Sequence, residues 1–215
     1  MAKKRHKKRA LPGITKLALG ITLILFLILL GKTVLGNPSI LVFHRTKTIQ
    51  MPEIQEELLT PNQYSRSQKK LTKVNGIVIH YVANPGSTAI SNRNYFNSLA
   101  SFHATYASSH FVVDLDGSIV QCIPLDEVAY ASNSRNNDTI AIEVCHPDET
   151  GKFTDKTYDS LVNLVAWLCG EYNLKKEDII RHYDVTGKNC PKYYVEHEDA
   201  WNTFKDDVFE YLNEN

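Results

Sequence analysis

The sequence has few cysteines and no closely spaced pair of them. Four cysteines occur in 215 residues, and no two have the CxxC spacing of a thioredoxin motif or a zinc finger. An exported domain could pair some of them, although Cys169 lies in an apolar helical run typical of a core. The chain also has no internal repeat and no low-complexity tract, which excludes repeat architectures. The other three cysteines are Cys122, Cys145 and Cys190.

Acidic residues are absent from the first 35 positions, which carry eight lysines and arginines. The whole chain has 24 basic and 24 acidic residues, so residues 36–215 carry 16 basic and 24 acidic groups, a net charge of −8. This charge argues against a nucleic-acid partner for the larger part of the chain. The basic beginning therefore requires a separate explanation.

A membrane explains the basic beginning. The segment Leu17–Leu30 contains no charged residue, and residues 14–35 are long enough for a transmembrane helix, with Lys16 and Lys32 near its ends. The preceding basic residues predict a cytoplasmic tail over 1–13 and an extracytoplasmic location for the rest. A cleaved signal peptide is the alternative, because the apolar core is short and Val34-Leu35-Gly36 resembles a cleavage site.

Residues 36–72 are predicted to form an extracytoplasmic stalk. They contain three prolines, scattered charges and a long polar run, with room for a short helix near Glu53–Leu59. A folded domain is predicted over 73–215. This folded domain would then lie on the extracytoplasmic side of the membrane.

Strand and helix patterns alternate through that domain. Continuous β-branched runs predict buried strands, Asp116-Gly117 predicts a hairpin turn, and apolar periodicity predicts three longer helices. The expected fold class is α/β, with a single mixed central sheet flanked by helices. The predicted strands are 76–82, 110–115, 118–123, 139–145 and 178–181, and the predicted helices are 90–102, 154–172 and 198–213.

Four residues of this domain are candidates for a catalytic metal site. His80 ends a hydrophobic strand, Glu143 lies within an otherwise apolar strand, and His182 and Cys190 are eight residues apart. Two neutral imidazoles and a thiolate suit zinc and leave a fourth position for water. A buried carboxylate requires a partner or a function. These spacings alone remain weak evidence for a metal.

Several motifs, in this order, resemble the N-acetylmuramoyl-L-alanine amidases of the phage T7 lysozyme and peptidoglycan-recognition-protein type. The resemblance covers about 73–215. It rests on the strand 76–81, the hairpin 109–121, the strand 140–143 and the motif Arg181-His182-Tyr183-Asp184 followed by Gly187-Lys188-Asn189-Cys190-Pro191.

This resemblance implies a peptidoglycan-recognition-like fold and a Zn2+ ion bound by His80, His182 and Cys190. It also implies that Glu143 acts as general base and then acid, and that Lys188 stabilises the oxyanion. The implied substrate is peptidoglycan, cut at the amide between N-acetylmuramic acid and L-alanine of the stem peptide. We expect a monomer attached to the membrane through its N-terminal helix.

The sequence departs from the family pattern at Ser109, where many members have tyrosine, and at Ala131, where many have histidine.

The sequence is also compatible with two other functions. One is a non-catalytic peptidoglycan-binding module on the same fold. The other is a cysteine hydrolase with Cys190 as nucleophile and His182 as base, which Pro191 disfavours because proline offers no backbone N–H to an oxyanion.

Overall fold

The computed structural model describes residues 49–215, which contain one six-stranded sheet and five α-helices. The predicted tail at 1–13, the predicted transmembrane helix at 14–35 and the first part of the predicted stalk lie outside these residues. Within 49–215, none of the helices combines the length and the apolar character needed to span a bilayer. The strands are β1 (Gln55–Glu56), β2 (Ile77–Ile79), β3 (Phe111–Val113), β4 (Ile119–Gln121), β5 (Ile140–Val144) and β6 (Ile179–Arg181).

The sheet has the order β1-β4-β3-β5-β2-β6. All neighbouring pairs are parallel except the hairpin of β3 and β4, where Val112 lies opposite Val120. Gly117 closes this hairpin with φ of +88°, a backbone conformation that favours glycine. The prediction of a mixed sheet is therefore confirmed, and the three neighbouring strands β5, β2 and β6 are parallel, with β6 at the edge of the sheet.

Helices cover both faces of the sheet, as predicted. Helix α1 packs on one face, and α2 and α5 pack against each other on the opposite face. Thr88 and Thr154 cap α1 and α2, because each side chain accepts a hydrogen bond from a backbone N–H three residues later. The helices are α1 (Ala89–Phe102), α2 (Asp155–Tyr172), α3 (His182–Thr186), α4 (Lys192–Glu196) and α5 (Glu198–Glu214).

Side chains alternate between the two faces along each strand. In β3, Phe111 and Val113 belong to the core beneath α2 and α5, whereas Val112 belongs to the core beneath α1. In β5, Ile142 likewise faces α2 and α5. Glu143 therefore projects from the face that carries α1, and so does His80, the residue that follows β2.

The described part of the predicted stalk, residues 49–72, is folded onto the domain, so the stalk prediction is wrong there. Strand β1 occupies Gln55–Glu56, where the sequence predicts a short helix, and extends the sheet beside β4. Leu59 is buried among the side chains beneath α1. Arg66 forms a largely buried ion pair with Glu127 at 2.8 Å. The sequence does not predict this packing, because only a few apolar residues of the segment are buried and the rest are mainly proline and polar residues.

Leu59 provides a test of this packing. We expect Leu59→Ala to lower the free energy of unfolding by about 3 kcal/mol, since it leaves a cavity in a core position that is 1% exposed. Met51→Ala is the matched control, because Met51 is 56% exposed and its loss should change stability by less than about 0.5 kcal/mol. Urea unfolding followed by circular dichroism measures both. Equal effects of the two substitutions would contradict the packing described here.

Candidate metal centre

Strand register brings three of the predicted site residues together. Strand β2 lies between β5 and β6, and its last residue, Ile79, pairs with Ile142 of β5 and with Arg181 of β6. Each of these three paired residues is followed directly by a predicted site residue. His80 follows Ile79, Glu143 follows Ile142, and His182 follows Arg181. The site thus lies at the carboxyl ends of parallel strands, where α/β proteins commonly bind ligands.

Cys190 completes the group from the loop after α3. One ligand atom from each of His80, His182 and Cys190 lies within 4.8 Å of the others. The Cys190 Sγ is 3.9 Å from the His80 Nδ1, and the two imidazole ring centres are 4.6 Å apart. All three residues are buried. The structure therefore brings together the three residues predicted as metal ligands.

The donor set fits a zinc ion. Zinc bonds of about 2.0–2.1 Å to nitrogen and about 2.3 Å to sulfur place tetrahedral ligand atoms about 3.3–3.6 Å apart. The Cys190–His80 separation exceeds this by only a few tenths of an ångström. The buried His182 Nδ1 finds no hydrogen-bond partner among residues 49–215, although buried polar atoms are usually paired. A metal ion would satisfy that nitrogen.

The other ring nitrogens are held by two consecutive residues of one loop. The His80 Nε2 is 3.1 Å from the Ser132 Oγ, and the His182 Nε2 is 2.9 Å from the Asn133 Oδ1. Because Nε2 of each ring is occupied in this way, Nδ1 is the nitrogen left to face the Cys190 thiol. Metal-binding histidines typically carry such a partner on the second nitrogen.

Burial sets the charge of each candidate ligand. It holds the pKa of His80 well below its usual range, and it lowers the pKa of His182, in both cases with a smaller contribution from the positive charge of Lys188. Both imidazoles are therefore neutral at pH 7, as metal ligands must be. Burial raises the pKa of the Cys190 thiol to about 12, and the nearby Glu143 carboxylate acts in the same direction.

Glu143 is a buried carboxyl group at the edge of this cluster. Its Oε2 has no hydrogen-bond partner within the described residues. Burial raises the pKa of Glu143 to about 8, against the opposing effect of the positive charge on Lys188. Lys188 is exposed in the loop that leads to Cys190. Its charge acts on the carboxyl group and on all three candidate ligands, which places it at the rim of the site.

Arg181 anchors the segment that carries His182. Its guanidinium group is buried and forms ion pairs with Asp184 at 2.9 Å and Glu198 at 2.6 Å. The Asp184 carboxylate also accepts a hydrogen bond from the Arg181 backbone N–H at the start of α3. Asp184 therefore fixes the helix that presents His182 rather than bonding to the imidazole itself.

The two departures from the family pattern have different surroundings. Ser109 is fully buried, and its hydroxyl lies 2.6 Å from the Phe111 carbonyl and 2.9 Å from the Ala141 carbonyl, so it links β3 to β5. Ala131 instead lines a cavity of about 270 Å³ next to Asn133. A larger cavity, of about 810 Å³, lies on the α2 face of the sheet and includes none of the site residues.

The sequence predicts neither the contact of Ser132 with His80 nor that of Asn133 with His182. Ser132 and Asn133 both belong to a polar run of serine and asparagine residues, and such a run predicts a turn. No pattern within the run indicates that it reaches two histidines 52 and 49 residues away along the chain. These contacts depend entirely on tertiary structure.

Comparison with known proteins gives a consistent result. Residues 70–193 match the family model described as N-acetylmuramoyl-L-alanine amidase. A Bacillus licheniformis protein described as a probable N-acetylmuramoyl-L-alanine amidase is 37% identical over 157 residues, which cover 67% of this chain and 44% of that protein. The N-acetylmuramoyl-L-alanine amidase CwlL of the same species is 34% identical over 171 residues, covering 74% of this chain and 47% of CwlL.

A solved structure of PlyL is also similar, with a TM-score of 0.62 and 27% sequence identity over 73% of this chain and 97% of PlyL. The chain belongs to the N-acetylmuramoyl-L-alanine amidase family, as its motifs predict. It spans about half the length of the curated relatives it matches.

Proposed function

We propose that this protein is a zinc-dependent N-acetylmuramoyl-L-alanine amidase. It hydrolyses the amide between the lactyl group of N-acetylmuramic acid and L-alanine of the peptidoglycan stem peptide. The observation that carries the proposal is the convergence of His80, His182 and Cys190 within 4.8 Å, with Glu143 in the matching register position of the neighbouring strand. Membership of the amidase family supports the same reaction.

The chemistry of amide hydrolysis suits these residues. Bound zinc supplies a Lewis acid that lowers the pKa of a water molecule to about 7. Glu143 accepts a proton from the attacking water and later donates it to the leaving L-alanine amine. Burial raises the pKa of the Glu143 carboxyl group to about 8, and the charge of a bound zinc ion would lower it from that value, so the group can accept a proton near neutral pH and later donate it.

Lys188 is proposed to stabilise the oxyanion that forms on the amide carbonyl. Its ammonium group is exposed at the rim, so it can approach a substrate that enters from solvent. Its charge also favours the ionised form of Glu143. A fixed positive charge beside a developing negative charge is a principal source of rate acceleration in acyl transfer.

Digestion of purified peptidoglycan tests the proposed reaction. We expect the full-length, zinc-loaded protein to release stem peptides that begin with a free L-alanine amino group, identified by mass spectrometry. Products cut at a glycosidic bond or within the stem peptide would overturn the assignment. Sedimentation of the protein with insoluble peptidoglycan, without any release of peptide, would instead support the binding-module alternative.

We further propose that the protein is a monomer held at the outer side of the cell membrane by residues 14–35. The basic segment before this apolar stretch supports the orientation. The three proposed zinc ligands converge within one chain, so the site requires no residue from a second copy. Protease added to intact cells should therefore degrade the domain. Complete protection of the domain would contradict the orientation, and release into the medium would indicate cleavage of the N-terminal segment.

A further inference from the structure

The loop 131–136 contacts both candidate histidine ligands through adjacent side chains. Ser132 lies against the Nε2 of His80, and Asn133 lies against the Nε2 of His182. Ser132 is 1% exposed and His80 is 2% exposed, so their contact is shielded from water. Two successive residues of this loop thus hold the outer edges of both imidazoles.

Backbone geometry explains how adjacent side chains reach neighbouring rings. Successive side chains of an extended segment point in opposite directions. Asn133 has a φ of +51°, in the left-handed region, and begins a single turn of 3₁₀ helix over Asn133–Arg135. Asparagine is among the few residues other than glycine that adopt this region readily. The conformation therefore turns two consecutive polar groups toward one site.

Asn136 holds this conformation in place. Its Oδ1 accepts hydrogen bonds from the backbone N–H groups of Ser132 at 2.6 Å and Ala131 at 3.1 Å. The backbone N–H of Asn136 in turn donates to the Asn133 carbonyl. One amide side chain thus closes the loop around the two contact residues. A loop held in this way loses little conformational entropy when a ligand binds.

The contacts also determine which ring nitrogen carries the proton. The Asn133 Oδ1 can only accept a hydrogen bond, so the Nε2 of His182 carries the proton and its Nδ1 presents a lone pair. The Ser132 hydroxyl can accept from the Nε2–H of His80 in the same manner. Both Nδ1 lone pairs are then available to a metal ion shared with Cys190.

We propose that Ser132 and Asn133 are positioning residues that hold the Nε2–H tautomer and the ring orientation of His80 and His182 toward the zinc ion. Asn136 fixes the loop that carries them. This inference rests on the zinc site of the proposed function, but it concerns metal affinity and not the reaction. The metal centre therefore extends to a loop that lies between β4 and β5 in the chain.

Zinc affinity of full-length variants tests the proposal. Asn133→Gly keeps the left-handed backbone and removes the acceptor, so we expect zinc to bind about 10–100-fold more weakly in competition with a chelator. Asn133→Asp keeps an oxygen acceptor in the same place and should remain within a few-fold of wild type. Ser132→Ala should weaken zinc binding in the same direction. Asn137→Ala is the matched control, because the Asn137 side chain is bonded to Lys69 instead.

A second measurement separates positioning from a general effect on folding. Imidazole nitrogen–proton correlation spectra of the metal-free protein should show the Nε2–H tautomer at His182 in wild type and in Asn133→Asp, and a mixture of tautomers in Asn133→Gly. Circular dichroism checks that each variant is folded. Wild-type zinc affinity and a single tautomer in folded Asn133→Gly would overturn the inference.

The outcomes also distinguish this inference from the proposed function. If wild type binds zinc and the variants bind it more weakly, but peptidoglycan is not cut, the positioning role stands and the amidase proposal fails. If peptidoglycan is cut and zinc affinity is unchanged in the variants, only the positioning role fails. If wild type binds no zinc, both fail.

Discussion

Replacement of Glu143 by glutamine should lower the kcat for stem-peptide release by about 10²–10⁴-fold and leave zinc affinity within a few-fold of wild type. The expected loss is that of a general acid–base group, because the amide of glutamine cannot accept the proton of the attacking water. The ligands are unchanged, so metal binding should persist. Rates on purified peptidoglycan and chelator competition measure the two quantities.

The pH dependence of the reaction provides a further readout of the same role. Burial raises the pKa of Glu143 to about 8, and a bound dication would lower it from that value. Because the ionised carboxylate is the base, log kcat/KM for wild type should rise with pH up to the pKa of Glu143 in the zinc-loaded protein and then level off. This limb should disappear in Glu143→Gln.

Glu171→Gln is the matched control for Glu143→Gln, since Glu171 is exposed near the end of α2 and its replacement should leave both rate and pH profile unchanged. Near-normal turnover by Glu143→Gln, or a loss of zinc that accounts for its inactivity, would contradict the assigned role of Glu143.

Cys190 should act as a metal ligand and not as a nucleophile. We expect Cys190→Ala to lose zinc affinity by at least about 100-fold and to lose measurable hydrolysis, since even the loss of a partner outside the ligand set costs about 10–100-fold. Cys190→Asp should retain part of both, because a carboxylate also binds zinc. Chelator should abolish the activity of wild type, and added zinc should restore it.

A cysteine hydrolase would behave differently in each experiment. Its activity would survive removal of the metal, and Cys190→Asp would be as inactive as Cys190→Ala because both lack the thiol. Burial raises the pKa of the Cys190 thiol to about 12, so a thiolate would form there only with a cation such as zinc beside it, whereas nucleophilic cysteines have a lowered pKa without a metal. Persistent activity in fully metal-free wild type would nevertheless require a thiol mechanism.

The local sequence determined most of the helices and strands. Helical patterns predict α1 and α2 to within one residue of their observed starts, and Asp116-Gly117 predicts the hairpin. These features were predictable because neighbouring residues decide backbone conformation and capping. The site residues His80, Glu143, His182 and Cys190 were also identified from the sequence, through motifs whose order resembles one family. Their catalytic and ligand roles remain predictions for the experiments above.

Tertiary structure decided the features that depend on distant pairing. Parallel register places the ends of β2, β5 and β6 side by side, although those strands are separated by dozens of residues along the chain. Tertiary packing also holds residues 49–72 against the domain through a few buried side chains, such as that of Leu59. The composition of this segment does not indicate that burial. The contacts of Ser132 and Asn133 with the two histidines belong to the same category. A turn-forming sequence specifies where the chain bends, and only the packed sheet determines which side chains the bend will meet.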